Sequence, residues 1–404
     1  MMPLTVLVLS GSEPRFFEKL REMNAFVVYM GDDLPLEIAL LVDHYIPLSL
    51  EGDWRDVLRS VKEEMRDRTP DAVVTYLDRY VPLAAYLRER LGTGHGPPLA
   101  AVQNCRDKFR MRRLLENRVL PNVPHRIAGD DREALAAASS IGYPVVVKPR
   151  IGVGGIGVKL CRDEGDVRQA AKEISDVSEV LFGPDAPKQM ILVEGYLQGT
   201  VLAVQTVTHQ GSTDVVSVVE TRVGPFPLFF ELEHRFPPRL SPDALNRVER
   251  TAKETVRVLG LDDCVTHMQL CLTEEGPALI EVNPRVPGGN LVDLTAWTTG
   301  IDLYRASVDL ALGCPPERST PAFPAAVSFS IGFSKSGTVS YIPDAVSWRR
   351  NVLIRMDVLP GEKVYALTHP EGGIYGRILV AGKDGDEVDE KVREIRDALA
   401  LEVG

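Results

Sequence analysis

Cysteine is scarce: five residues in 404, Cys105, Cys161, Cys264, Cys271 and Cys314, odd in number, scattered and without CxxC spacing. That excludes a disulfide framework and a cysteine zinc site, and predicts reduced thiols in the cytoplasm. Long apolar runs are missing as well. None approaches the roughly 20 residues that cross a bilayer, so no membrane partner is expected. The early run Thr5–Leu9 is too short for a signal-peptide core and has no basic flank, so it reads as a first buried strand. No basic run offsets a formal net charge of −11, which argues against a nucleic-acid partner. The dinucleotide fingerprint is absent too. Ser10-Gly11-Ser12 stands where GxGxxG would, so a nicotinamide cofactor is not expected. There is no internal repeat and no low-complexity tract.

What is present is an ordinary globular composition, 44% hydrophobic and 25% charged, in a length suited to two to four packed lobes. Residues 4–9, 26–30 and 72–76 are short β-rich apolar runs. Helical periodicity lies between them, from Phe16 to Met23 and from Trp54 to Met65. This alternation predicts an open, mostly parallel α/β sheet over residues 1–100. The stretch Gly92–Pro98 (GTGHGPP) marks its boundary. A second block spans 101–320. It opens with a basic helix from Asp107 to Asn117, and a helix over Ala134–Ile141 follows. Strands are expected at 144–148, 157–160 and 190–194, a hairpin at 266–272 and 277–282, and a closing helix from about 293 to 312. A third block, 321–404, carries strands near 326–332, 352–358 and 374–380 and a charged last helix.

Three separated features carry chemistry. Val146-Val147-Lys148-Pro149 leads into Gly152-Val153-Gly154-Gly155-Ile156-Gly157. Glycine backbone amides can lie over phosphate oxygens while the ammonium neutralises them. In a P-loop the lysine follows the glycines; here it precedes them. The segment alone also fits a flexible hairpin with a surface lysine. Next, Glu281-Val282-Asn283-Pro284-Arg285 ends a strand, with Gln269 on the partner strand. Alternation puts Glu281 and Asn283 on one face, a carboxylate and an amide oxygen suited to Mg²⁺. Arg285 just beyond can stabilise a transferring phosphoryl group or an acyl oxyanion. A surface salt bridge is the plain alternative. Finally, Glu194-Gly195-Tyr196-Leu197 could offer backbone groups and an apolar face to adenine.

Taken in order, these residues resemble the ATP-grasp superfamily. The resemblance runs from Asp107-Lys108 through the glycine loop and Glu194–Gly199 to Gln269 with Glu281-x-Asn283-x-Arg285, over roughly residues 100–315. It implies a Rossmann-like N-terminal domain and a central ATP-grasp domain with a mobile lid at about 124–193. A strand-rich C-terminal lobe would complete the layout. By position, Lys108 and Lys148 would contact ATP phosphates, and Gly152, Gly154, Gly155 and Gly157 would close over them. Glu194 and Leu197 would frame adenine. Gln269, Glu281 and Asn283 would hold Mg²⁺, with Mn²⁺ as a possible substitute. Arg285 with the amides of Gly288 and Gly289 would bind the substrate carboxylate and its acyl phosphate.

Within the superfamily the chain looks most like L-amino acid ligases, the dipeptide synthetases. Phe230-Glu231-Leu232-Glu233-His234-Arg235-Phe236-Pro237 is similar to their E-x-x-H-x-x-P loop, and Thr266-His267-Met268 and Arg285-x-x-Gly288-Gly289 also fit. The resemblance implies that Glu231 and His234 line an amino-acid pocket and that the chain is a homodimeric, ATP-dependent carboxylate–amine ligase. Three residues depart from the family pattern. Gln269 replaces a usual Glu, Val201 a common ribose-binding acid, and Gly155 a common loop serine. Two other readings stand beside this one: a ligase or carboxylase acting on a nucleotide precursor or bicarbonate, and a non-catalytic ATP-binding protein. Glu231, Glu233 and His234 are candidates for a base. Trp297 reads as core, and Phe226–Phe230 as pocket wall or core.

Overall fold

The computed structural model describes residues 3–398 apart from residues 67, 117–120, 122, 153, 183–189, 225, 227, 341–350 and 370–371. Val153 of the glycine loop, Pro227 of the aromatic run and Asn117 of the basic helix thus lie outside the described residues.

Strands β1 (Thr5–Leu9), β2 (Phe26–Gly31), β3 (His44–Pro47) and β4 (Ala72–Val74) form a parallel sheet in the order β3-β2-β1-β4. Val6, Leu7, Val8 and Leu9 of β1 are fully buried because helices cover both faces, as a parallel sheet requires. Helix α1 (Pro14–Glu22) starts with proline in its first turn and buries Phe16, Phe17 and Leu20. Helices α2 (Trp54–Glu64) and α3 (Val81–Leu91) follow. Asp53 caps the first, and Gly92, at φ +66°, ends the second.

Helices α4 (Leu99–Arg106) and α5 (Lys108–Leu115) lead into a four-stranded sheet over the span expected as a lid. Its strands are β5 (His125–Ala128), β6 (Val145–Pro149), β7 (Lys159–Cys161) and β8 (Ile191–Gly195), in the order β5-β8-β6-β7. They are backed by α6 (Asp131–Ile141) and α7 (Glu164–Phe182).

An eight-stranded sheet forms the main body. It runs β13 (Gly276–Asn283), β12 (Cys264–Thr273), β9 (Thr200–His209), β10 (Ser212–Val223), β11 (Glu231–Phe236), β14 (Ala325–Ile331), β18 (Gly376–Gly382), β16 (Val352–Met356). β15 (Gly337–Thr338) and β17 (Lys363–Val364) pair separately. The sheet therefore crosses the boundary expected at residue 320, and the C-terminal strands extend the sheet of the central domain.

Helix α8 (Pro242–Leu259), capped by Ser241 and ended by Gly260, packs on one face, and α11 (Gly385–Ala398) covers the C-terminal strands. The single helix expected from 293 to 312 is two: α9 (Leu291–Thr299) and α10 (Leu303–Ala311). Gly300 breaks it. Its φ is +74°, and a Cβ there would collide with the Ser319 carbonyl. Asp302 then caps α10 by accepting from the Tyr304 and Arg305 amides. Among the described residues no helix is long and apolar enough to cross a membrane.

Candidate active site

The register of β12 on β13 builds one face of the site. His267 lies opposite Asn283 and Gln269 opposite Glu281, so all four side chains project from the same side of the sheet. Asn283 Nδ2 donates to Glu281 Oε1 at 3.1 Å, and Lys108 Nζ sits 3.4 Å from Glu281 Oε2. Lys108 reaches that point because Asp107 fixes the start of α5: its Oδ1 accepts from the Arg110 amide and its Oδ2 pairs with Arg150 of the lid at 2.5 Å. Burial would raise the Glu281 carboxyl, but Lys108, His267 and the Asn283 hydrogen bond together hold it below its ordinary value.

Gln269 explains its own departure from the family pattern. Its Nε2 donates to Glu231 Oε1, which a glutamate at that position could not do. Glu231 Oε2 lies 3.3 Å from His234 Nε2, and His234 Nδ1 is 3.1 Å from the Thr221 hydroxyl. Burial pushes the Glu231 carboxyl up. The His234 contact and the fields of His267 and Arg377 outweigh it and bring the value to about 2. Glu231 is thus an ionised acceptor between an amide and a histidine. His267 Nδ1 sits 3.4 Å from Gln205 Oε1, and burial beside Arg285 pulls its imidazole down to about 4. At neutral pH it is uncharged.

In the lid, Val146 of β6 pairs with Glu194 of β8, so Lys148 and Glu194 are diagonal neighbours on one face. Lys148 Nζ is 2.6 Å from Glu194 Oε2. Arg112 of α5 holds the other oxygen at 2.6 Å and also reaches the Leu279 and Ile280 carbonyls of β13. All three side chains are buried. Burial opposes the charge on Glu194, yet Arg112 and Lys148 keep the carboxyl well below the usual range. Burial also lowers the Lys148 ammonium from its ordinary value, against the attraction of Glu194. The Glu194 side chain is therefore occupied by cations. The segment beyond it lies on β12: Cys271 Sγ meets the Leu197 carbonyl at 3.7 Å, and a Cβ on Gly199 would strike the Leu272 carbonyl. Val201 pairs with Cys271 in the next register position.

Gly154, Gly155 and Gly157 have φ of +61°, +73° and +74°. The first two have open space where a Cβ would be, whereas a Cβ on Gly157 would lie 3.1 Å from Pro149 Cγ. Arg285 turns back from the tip of β13 to pair with Asp78 of the N-terminal domain at 2.5 Å and to donate to the Val286 carbonyl. Gly289 lies against Arg377, whose Nε would be 3.1 Å from a Cβ there. Gly288 has open space at that position. Trp297 packs with Phe323 beside the core of the main sheet, and Phe226 and Phe229 contact each other edge to face beside Tyr196.

Lys108, Gln269, Glu281, Asn283, Glu231, His234 and Arg285 thus converge on one stretch of sheet, and Lys148 and Glu194 face it across α5. Arg112, Arg106, Arg377 and Gln205 were not singled out from the sequence. Only Arg112 left a usable signal, one helical turn after Lys108. Among the described residues no group of three or more His, Cys, Asp or Glu could hold a metal ion. The donor set still fits Mg²⁺. Asn283 and Gln269 use their amide NH₂ groups on carboxylates and keep their oxygens as acceptors beside Glu281, which suits an ion that takes few protein ligands and fills the rest with water and phosphate.

Residues 141–293 match the ATP-grasp domain. Carnosine synthase 1 of Gallus gallus is 30% identical over 329 residues, covering 77% of this chain and 35% of the relative. Alanine–anticapsin ligase of Bacillus amyloliquefaciens is 26% identical over 260 residues, 59% of this chain and 53% of the relative. The chain thus spans about half or less of the length of these curated relatives. The crystal structure of an L-amino acid ligase from Bacillus licheniformis superposes with a TM-score of 0.85 at 23% identity, covering 100% of both chains. Residues 141–293 of the chain thus match an ATP-grasp domain, and the chain carries the fold of the L-amino acid ligase structure.

Proposed function

We propose that the chain is an ATP-dependent carboxylate–amine ligase that joins two amino acids through an acyl phosphate. The convergence of Arg285, Lys108 and Glu281 with the Glu231–His234 pair on one face of the main sheet carries this reading. Cations able to neutralise phosphate lie on the same stretch of sheet as Glu231, an ionised acceptor, which suits a zwitterionic substrate.

Lys108 and Lys148 would hold ATP phosphates, with the amides of the Gly152–Gly157 loop above them. Glu281, Asn283 and Gln269 would hold Mg²⁺, which supplies charge neutralisation at the transferring phosphoryl group; Mn²⁺ would serve the same donors. The substrate carboxylate oxygen forms a bond to the γ-phosphorus as the bond to ADP breaks. The amine nitrogen then bonds to the acyl carbon, and phosphate leaves with that carboxylate oxygen. Arg285 and the Gly288 and Gly289 amides stabilise the oxyanion between these events. Water must be kept out, because it would hydrolyse the acyl phosphate. We place the reaction in the cytoplasm, in keeping with five unpaired cysteines, and expect a homodimer.

The test is phosphate release from ATP and Mg²⁺, screened over pairs of the twenty amino acids, with Glu281→Ala as the blank. Pairs that release phosphate in the wild type alone, with a condensed product found by mass spectrometry, sustain the proposal. ATP binding without release for any pair rules out dipeptide synthesis from these amino acids.

A further inference from the structure

A ligase of this kind has two polar guests to seat beside each other: the activated acyl group and the incoming amine. The carboxylates around the site differ in what they have left to offer an amine. Glu231 has Gln269 on one oxygen and His234 on the other. Glu281 has Asn283 and Lys108. Asp293, in the first turn of α9, is held by Arg15 and Arg355. Asp78 is different. Its Oδ2 receives Arg285 at 2.5 Å, while Oδ1 is buried with no hydrogen-bond partner. Arg106 approaches Oδ1 only to 3.7 Å, too far for a hydrogen bond.

The other side of the same ion pair is also incomplete. Arg285 Nε is buried and without a partner. One contact between the N-terminal domain and the β13 tip thus leaves an acceptor and a donor open at once. A buried carboxylate oxygen without a donor is costly, and such orphans in a native structure call for a ligand or a trapped water.

Position supports a ligand. Asp78 follows β4, at the carboxyl edge of the parallel sheet where open α/β sheets bind their ligands. Its charge is felt at Glu281 and its own carboxyl feels His267, so it faces the phosphate side of the site. Burial would neutralise it, but Arg285 and Arg106 hold the carboxyl below its ordinary value.

We propose that Asp78 Oδ1 receives an N–H of the incoming amine, carried in as an ammonium, while the unpartnered Nε of Arg285 donates to the acyl group. The N-terminal domain then supplies the amine half of the site. Both guests share one guanidinium–carboxylate pair, which brings nitrogen and acyl carbon within reach of each other, the near-attack arrangement that speeds coupling. This contact binds and orients the amine. The inference rests on the ligase reading above.

Hydroxylamine separates the two. As a small neutral nucleophile it traps an acyl phosphate as a hydroxamate without needing an ammonium site. Wild type, Asp78→Asn and Asp78→Glu are compared for hydroxamate and for dipeptide, each over a range of amine concentration, with circular dichroism as the folding check. In Asp78→Asn the dipeptide-to-hydroxamate ratio is expected to fall about tenfold to a hundredfold, the loss of one charged hydrogen bond. The fall should appear as a raised KM for the amine. Asp78→Glu keeps the charge and is expected to recover part of the ratio. If Asp78→Asn does not fold, Asp78→Glu carries the test, with a raised amine KM and a lowered dipeptide-to-hydroxamate ratio. Parallel loss of both products, or an unchanged ratio, overturns the proposal, since Asp78 would then only hold Arg285 or play no part. A wild type that forms no hydroxamate from any carboxylate overturns the ligase reading and this proposal with it.

Discussion

Replacing Glu194 by glutamine should loosen the lid in a way that can be counted. The carboxylate lies between Lys148 and Arg112 at 2.6 Å from each, and both partners of each pair have side chains 5% exposed. Solvent screening therefore weakens these pairs little. Removing one member of a buried pair costs about 3–5 kcal/mol, because the charge left behind stays desolvated. Glutamine keeps the volume and an oxygen for Arg112, so the lower end, about 3 kcal/mol, is expected. That corresponds to roughly a hundredfold faster exchange for amides of β6 and β8 that exchange by opening of the lid. Native-state hydrogen exchange measures it directly. The deficit also has a pH signature. Without Glu194, burial pulls the Lys148 ammonium further below its unfolded value of 10.5. The cost is therefore full at pH below the folded value and shrinks as pH rises toward 10.5. Glu194→Gln exchange within about fivefold of wild type at neutral pH, a change of about 1 kcal/mol, would refute the claim that this carboxylate holds the lid sheet to α5.

Two further perturbations probe the floor of the site. His267 titrates at about 4 when folded against 6.5 when free, so folding favours its neutral form. About 3 kcal/mol of stability should be lost as pH falls from 6.5 to 4. Urea unfolding of His267→Gln should be flatter across that window, and curves parallel to wild type would contradict the assignment. Gln269→Glu removes the N–H donor to Glu231 and sets two carboxylates face to face. The Glu231 carboxyl should rise from about 2 toward the ordinary range, which ¹³C NMR titration of that carboxyl would detect; an unmoved titration would mean the Gln269 contact does not matter.

The strand-borne half of the site was legible because its information is local. Alternation alone puts Glu281 and Asn283 on one face, but the turn at Glu274-Glu275 would set Gln269 opposite Ile280, and a register shift between Gln269 and Leu270 brings it opposite Glu281. Lys148 and Glu194 sit on strands that apolar runs announce. What sequence spacing could not supply is how distant segments meet. Asp78 and Arg285 are 207 positions apart, and Arg112 and Glu194 are 82 apart. The place of Glu194 before Gly195 suggests backbone groups for adenine but says nothing of its side-chain partners, Arg112 and Lys148, which are set by the packing of α5 against β8. The break at Gly300 also escaped notice, because the apolar pattern continues through it and the reason lies in the Ser319 carbonyl. Domain limits are hidden in the same way, since pairing of β11 with β14 joins segments that the chain separates by the whole β12–β13 hairpin.

That last pairing bears on how the chain could be cut, fused or inherited. The ATP-grasp match ends at residue 293, but β11 is hydrogen-bonded along Glu233–Phe236 to β14 at Ala326–Phe329. A fragment stopped at the end of the match would carry β11 as a bare edge, a row of unpaired amides and carbonyls open to another chain. Such a piece would aggregate before it could be assayed. The unit that can be moved between proteins as a working part must therefore include β14 and β18, and recombination within this fold should be tolerated in the connections outside the eight-stranded sheet before it is tolerated at the borders of the sequence match.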